Sequence, residues 1–205
     1  MAVGELFDPM AIVAAFNRHS VEYVVIGGFA VELHEAPVRP TRDIDFTPST
    51  TSENLDRVSA ALDDLDARIR TEGVPEGLPF GHDGPSLGRV GVWNLVCELG
   101  EFDLSLRPSG TDGYDDLVRE AVRLDVRGQP LYVASLADVI RSKLAAGRPK
   151  DFQVLDILTR RLDALQGTSP EEHRGAMTRR AEKRTPGPVP PSPRRPSPNP
   201  PAAPT

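Results

Sequence analysis

Proline divides this chain. From Pro186 onward half of the residues are proline, in "PGPVPPSPRRPSPNPPAAPT". Proline has no backbone N–H to donate, and this segment offers few apolar side chains to bury. It predicts a disordered tail with polyproline-II character. The charged stretch before it, "TSPEEHRGAMTRRAEKRT", predicts no more than a fraying helix. The core must then come from the first 167 residues, an ordinary length for one domain. The expected organisation is one folded domain over 1–167 and a basic, proline-rich tail over 168–205.

Charge follows the same division. The body carries a net charge of −10 and the tail +4, within −6 for the whole chain. An acidic body is not a general nucleic-acid-binding surface, so an anionic substrate needs a local cluster of basic residues. The tail reads either as a tether to nucleic acid or a partner, or as a solubilising arm; a PxxP ligand has less support. No apolar run approaches the length of a membrane span, and "MAVGELFDPM" lacks the pattern of a signal peptide. Cys97 is the one cysteine, so no internal disulfide is expected, and "VWNLVCEL" makes it a small core residue. These features predict a cytoplasmic protein without membrane contact.

The body alternates strand and helix signals. "DPMAIVAAFNRH" offers Asp8 as N-cap, Pro9 at the first helical position and apolar residues at helical spacing. "VEYVVIGG" is a continuous apolar run, a buried strand ending in two glycines, and "FAVELHEA" suits a short helix beginning there. "DIDFTP" is a second strand. "STTSENLDRVSAALDDLD" is a capped amphipathic helix, and "ARIR" suits a short strand. Residues 71–88, rich in glycine and proline, are expected as a loop. "RVGVWNLVCE" and "FDLSLRP" form a hairpin around "LGE", and "YDDLVREA" is a short helix. "VRLDVRGQPLYVAS" is a second hairpin about Arg127-Gly128. Two helices follow, one capped by Ser135 and one beginning at Pro149. This order predicts an α/β (α+β) fold with a mixed sheet flanked by helices and a C-terminal helical pair.

Four features could carry chemistry. Gly27-Gly28, at a strand-to-helix turn, would let a phosphate approach the backbone, or would only make a tight turn. Asp43 and Asp45 flank Ile44, so on a strand both carboxylates share one face. That pair reads as a solvated strand face or as a hard-cation site, since Mg²⁺ takes one or two protein carboxylates plus substrate phosphates. Asp103 alternates with Phe102 and Leu104. If its strand lies beside "DIDFT", it adds a third carboxylate, and three together repel one another unless cations intervene. Finally, the body holds 15 arginines but only two lysines, Lys143 and Lys150, both within "KLAAGRPK" with Arg148 between them. These read as a basic inter-helix turn or as contacts to phosphate oxygens.

In order, "VVIGGFAVELH", "TRDIDF" and "EFDLSL" resemble the polymerase-β-like nucleotidyltransferase superfamily. "SLADVIRSKLAAGRPKDFQVLDIL" looks like the minimal AbiEii-like nucleotidyltransferases, including the mycobacterial group. Those serve as toxins in type IV toxin–antitoxin systems and phage-defence loci. The resemblance covers roughly residues 10–165. It implies Asp43, Asp45 and Asp103 as metal ligands, with Asp103 helping to deprotonate the attacking hydroxyl. It implies Lys143 on the triphosphate, and nucleotide contacts from Gly27, Gly28, Thr41, Arg148, Lys150 and Asp151. Asp151 or Asp156 would match a later acidic residue, and the sequence does not choose between them. Gly28 stands where many relatives carry serine, so one hydroxyl contact is missing unless backbone amides or Thr41 replace it.

The chemistry so implied is transfer of an NMP group from an NTP to a hydroxyl. Two Mg²⁺ ions are implied, with Mn²⁺ as a substitute. The acceptor implied is a tRNA 3′ end or another RNA, with growth arrest as the outcome and a cognate antitoxin protein as partner. Two alternatives stand beside it. One is a small-molecule nucleotidyltransferase of the aminoglycoside-modifying kind, which the acidic body suits. The other is a non-catalytic nucleotidyltransferase fold acting as a binding protein.

Overall fold

The computed structural model describes residues 7–36 and 38–167 of the chain. The tail expected to be disordered lies outside the described residues. Among the described residues, eight strands form one mixed sheet, and seven helices lie around it.

The chain opens with α1 (Pro9–Arg18), where Asp8 accepts from the Ala11 amide and Pro9 takes the first helical position. β1 (Tyr23–Ile26) leads directly into α2 (Gly27–Leu33), so the two glycines are the first residues of the helix. β2 (Asp43–Pro48) and α3 (Ser52–Asp64) follow, then β3 (Arg68–Thr71) and β4 (Val74–Leu78). The one-turn α4 (Gly84–Leu87) precedes β5 (Val92–Cys97) and β6 (Gly100–Ser105). The one-turn α5 (Tyr114–Leu117), β7 (Val122–Val126), β8 (Gln129–Val133), α6 (Leu136–Ala146) and α7 (Pro149–Gln166) complete the domain.

Across the sheet the order is β4-β3-β5-β6-β2-β1-β8-β7. β2 pairs parallel with β6 and β1 parallel with β8; the other neighbours are antiparallel. The fold thus matches the expected mixed sheet with a C-terminal helical pair. Residues 71–88 are a correction, because they hold β4 and α4 instead of a loop. β4 is an edge strand, where Pro75 costs no ladder hydrogen bond. Asp83 and Ser86 form a capping box that starts α4, with a proline in its first turn. The β5–β6 connection is also shorter than "LGE", since Cys97 already pairs with Gly100.

The face opposite the aspartates is closed by aromatic packing. Phe16 of α1 stacks on Phe46 with ring centroids 4.5 Å apart, and Tyr23 and Phe102 meet Phe46 edge-on. Each such pair contributes about 0.5–1.5 kcal/mol beyond its burial. Ile44 and Phe46 are fully buried there, which fixes the face on which Asp43 and Asp45 emerge. Buried Asn54 ties the start of α3 to the sheet. Its amide nitrogen donates to the Glu22 and Ser49 carbonyls, and its amide oxygen accepts from the Glu22 N–H. No helix among the described residues is long and apolar enough to cross a membrane.

Candidate active site

Two parallel strands set the centre. In the β2–β6 ladder Asp43 stands opposite Glu101 and Asp45 opposite Asp103. Partners in register share a face, so these four carboxylates form a two-by-two array. Asp43, Asp45 and Asp103 line one cavity of about 610 Å³. Its other walls come from α2, the segment 38–41, the loop after β6, and helices α6 and α7.

The glycines at the start of α2 have a steric role. Gly27 has φ +70°, and a Cβ there would sit 1.9 Å from a carboxylate oxygen of Asp45. Gly28 faces Thr41, whose hydroxyl lies 2.9 Å from where a Cβ would be. The Thr41 hydroxyl therefore fills the space that a side chain at 28 would need. It donates to Asp43 Oδ1, and the Thr41 amide donates to the Glu32 carboxylate. These contacts pin the segment leading into β2.

The cationic wall comes from the α6–α7 turn. Gly147 ends α6 in a left-handed conformation (φ +64°), and Pro149 opens α7, the asymmetry expected of a helix-to-helix junction. Asp151, 1% exposed, accepts from Lys143 at 3.0 Å and from Arg148 at 2.6 Å. Burial pushes the Asp151 carboxyl up, but the hydrogen bonds from Arg148 and Lys143 outweigh it and hold it below the usual carboxylate range. Lys143, Arg148 and Asp151 all line the cavity. Asp156 is exposed further along α7, away from the lining, so Asp151 is the acidic residue placed at the site. Lys150 lies in the first turn of α7, and its side chain is outside the described residues.

Electrostatics mark Asp45. Burial first, then Asp43 and Asp103, push its carboxyl up to about 7, while Lys143 and Arg148 pull the other way. Asp103 is also raised, chiefly by burial and further by Asp43, against the opposing pull of Arg70. Crowded carboxylates with raised pKa values are relieved by a hard cation, and oxygen-only donors suit Mg²⁺ or Mn²⁺. The donor set therefore fits a divalent metal. Among the described residues, however, no three acidic, histidine or cysteine side chains converge as a ready-made cage. Thr41 engages Asp43, and Arg70 engages Asp103.

Three residues of this neighbourhood escape a motif reading. Glu101 shares the face of Asp103, and the alternation in "EFDLS" carries that signal just as "DID" does. Arg70, in the short strand "RIR", has no local signal, because its partners are set by sheet order. Asn94 stands opposite Asp103 on β5 and lines the cavity, again through register alone.

The family that matches this chain makes it a nucleotidyltransferase. In fold the chain is similar to the antibiotic-resistance factor ANT(2'')-Ia in its solution structure, with a TM-score of 0.52 and 16% identity over 85% of this chain and 91% of that one. The ANT(2'')-Ia complex with adenylyl-2''-tobramycin aligns with TM-score 0.47 and 17% identity, over 82% of this chain and 94% of that one. Lincomycin-bound LnuA, a lincosamide antibiotic adenylyltransferase, aligns with TM-score 0.49 and 15% identity, over 75% of this chain and 98% of that one. At such identities the first likeness speaks for the fold alone, and the other two add no argument. No curated protein matches the chain. Residues 5–164 match the family described as nucleotidyltransferase of unknown function (DUF6036), and the chain belongs to that family.

Proposed function

We propose that this nucleotidyltransferase moves an NMP group from an NTP to an acceptor hydroxyl, using divalent metal held by Asp43, Asp45 and Asp103. The observation that carries the reading is the register of Asp45 against Asp103 on one face, with Lys143 and Arg148 on the facing cavity wall. When bound, the metal ions supply Lewis-acid activation of the acceptor oxygen and stabilisation of the leaving pyrophosphate.

The chain's own residues do the rest. Lys143 and Arg148, oriented by Asp151, neutralise charge on the β- and γ-phosphates as it grows in the transition state. Gly27 and Gly28 let backbone approach the phosphates, and Thr41 adds a contact at that end. The acceptor oxygen bonds the α-phosphorus as the α–β phosphoanhydride bond breaks and pyrophosphate leaves. The acceptor proton passes to a carboxylate oxygen of Asp103, the one of the three proposed metal ligands that stands on β6.

The acceptor we assign first is an RNA 3′ end, a tRNA in particular. The protein would then act as a growth-arresting toxin restrained by a cognate antitoxin. Support comes from the likeness of "SLADVIRSKLAAGRPKDFQVLDIL", whose Lys143, Arg148 and Asp151 meet at the cavity, to AbiEii-like toxins. A second reading, a small cationic acceptor of the aminoglycoside kind, is favoured by the body's net charge of −10. Incubation with each labelled NTP, Mg²⁺, total RNA and, separately, aminoglycosides separates the two. Label in a tRNA band supports the first, label on the small molecule supports the second, and label in neither contradicts both.

A further inference from the structure

β3 and β6 are not neighbours, because β5 runs between them. Adjacent strands lie about 4.8 Å apart, so the backbone at Arg70 is roughly 10 Å from that at Asp103. The Arg70 side chain spans this gap across the face of β5. Its Nη2 donates to Asp103 Oδ1 at 2.8 Å, and its Nη1 donates to Glu101 Oε2 at 2.5 Å. One guanidinium thus holds both β6 carboxylates of the array.

A fastener between β3 and β6 would need only Glu101, which is half exposed and outside the cavity lining. Instead, one arm of the fork occupies an oxygen of Asp103, whose side chain is 16% exposed and does line the cavity. On the proposed function, the Asp103 carboxylate serves both metal and the acceptor proton, and Arg70 takes up one of its two oxygens. Glu101 gives the guanidinium a second partner. Letting go of Asp103 then breaks one charged hydrogen bond and leaves the other in place.

We propose that Arg70 is a positioning residue that competes with divalent metal for Asp103, with Glu101 as the carboxylate that retains it when Asp103 is released. This rests on Asp103 being the third carboxylate of the proposed site. Glu101 acts only through Arg70. Without Glu101, the whole fork closes on Asp103 and metal binding weakens. Without Arg70, Asp103 is uncontested but also unheld, so metal binding tightens while turnover falls.

The test is a double-mutant cycle read by Mn²⁺ binding, followed by electron paramagnetic resonance of free Mn²⁺ with folded protein verified by circular dichroism. Arg70→Met should tighten Mn²⁺ binding by about threefold or more. Glu101→Gln should weaken it about threefold in the wild-type background and leave it nearly unchanged in Arg70→Met, since the two residues act as one unit. Additive shifts would show only a general field effect, and unchanged binding in Arg70→Met would show a simple fastener. Either outcome overturns the proposal. A kinetic arm supports it if Arg70→Met lowers kcat about tenfold with KM for NTP within twofold, because the phosphates bind on the other side of the array. Equal loss through KM for NTP overturns it. The Mn²⁺ cycle needs no turnover, so absence of transfer to any acceptor would defeat the proposed function while the cycle still decides the role of Arg70.

Discussion

Asp45 and Asp103 stand directly opposite each other on neighbouring parallel strands, although 58 positions separate them in the chain. Removing either charge should abolish transfer and leave the fold intact. Asp45→Asn also relieves repulsion with Asp43 and Asp103. In chelator at pH 8 its Tm should therefore equal or exceed that of the parent, with activity at background. A lower Tm would contradict this electrostatic account.

The pH dependence has a defined sign. The Asp45 carboxyl lies at about 7 when folded, against 3.8 for the free group. Between these values the folded chain holds a proton that the unfolded chain has released, so this group makes stability fall as pH rises across that window. Metal-free protein should lose Tm from pH 4 toward pH 7, Asp45→Asn should flatten that loss, and Mg²⁺ should restore stability above pH 7. Asp151 works the other way. Its lowered pKa gives stability that is present above the ordinary carboxylate range and lost as pH falls through the depressed value. Thermal melts across pH, with and without chelator, resolve both effects.

Asp151 accepts from both Lys143 and Arg148, so on the proposed function Asp151→Asn should act on nucleotide binding. Lys143 and Arg148 then lose a buried charged partner. KM for NTP should rise about tenfold, as expected for loss of one charge-assisted contact, and Lys143→Ala should show the same pattern. Steady-state kinetics with NTP varied check this. A change confined to the acceptor's KM would place these residues elsewhere.

Gly27 admits no side chain without displacing Asp45. Its φ of +70° and the 1.9 Å approach to the Asp45 carboxylate oppose even alanine. Gly27→Ala should cost about 1–3 kcal/mol of stability and remove most activity. Urea denaturation with a parallel transfer assay measures both.

Much of this arrangement was legible in the sequence because strand alternation is local. "DID" put two carboxylates on one face, and Ile44 and Phe46 on the other face fixed which one. Ser135 and Pro149 marked the helical pair as a cap and a helix start, signals that also depend on near neighbours. What escaped depends on sheet order and register. β4 was hidden by Gly73, Pro75 and Gly77, residues that an edge strand tolerates. Arg70 became a partner of Asp103 only because β3 sits two strands away with its side chain pointing across β5. The purpose of Gly28 was likewise illegible until Thr41 was seen to occupy its side-chain space.

The central claim, nucleotidyl transfer at the Asp45–Asp103 pair, is tested most directly by incubating labelled NTPs with Mg²⁺ and pooled acceptors, both total RNA and aminoglycosides. The parent protein and Asp45→Asn are run side by side. The account predicts label on an acceptor and release of pyrophosphate with the parent, and neither with Asp45→Asn. No transfer by the parent from any NTP, or equal transfer by Asp45→Asn, would contradict it.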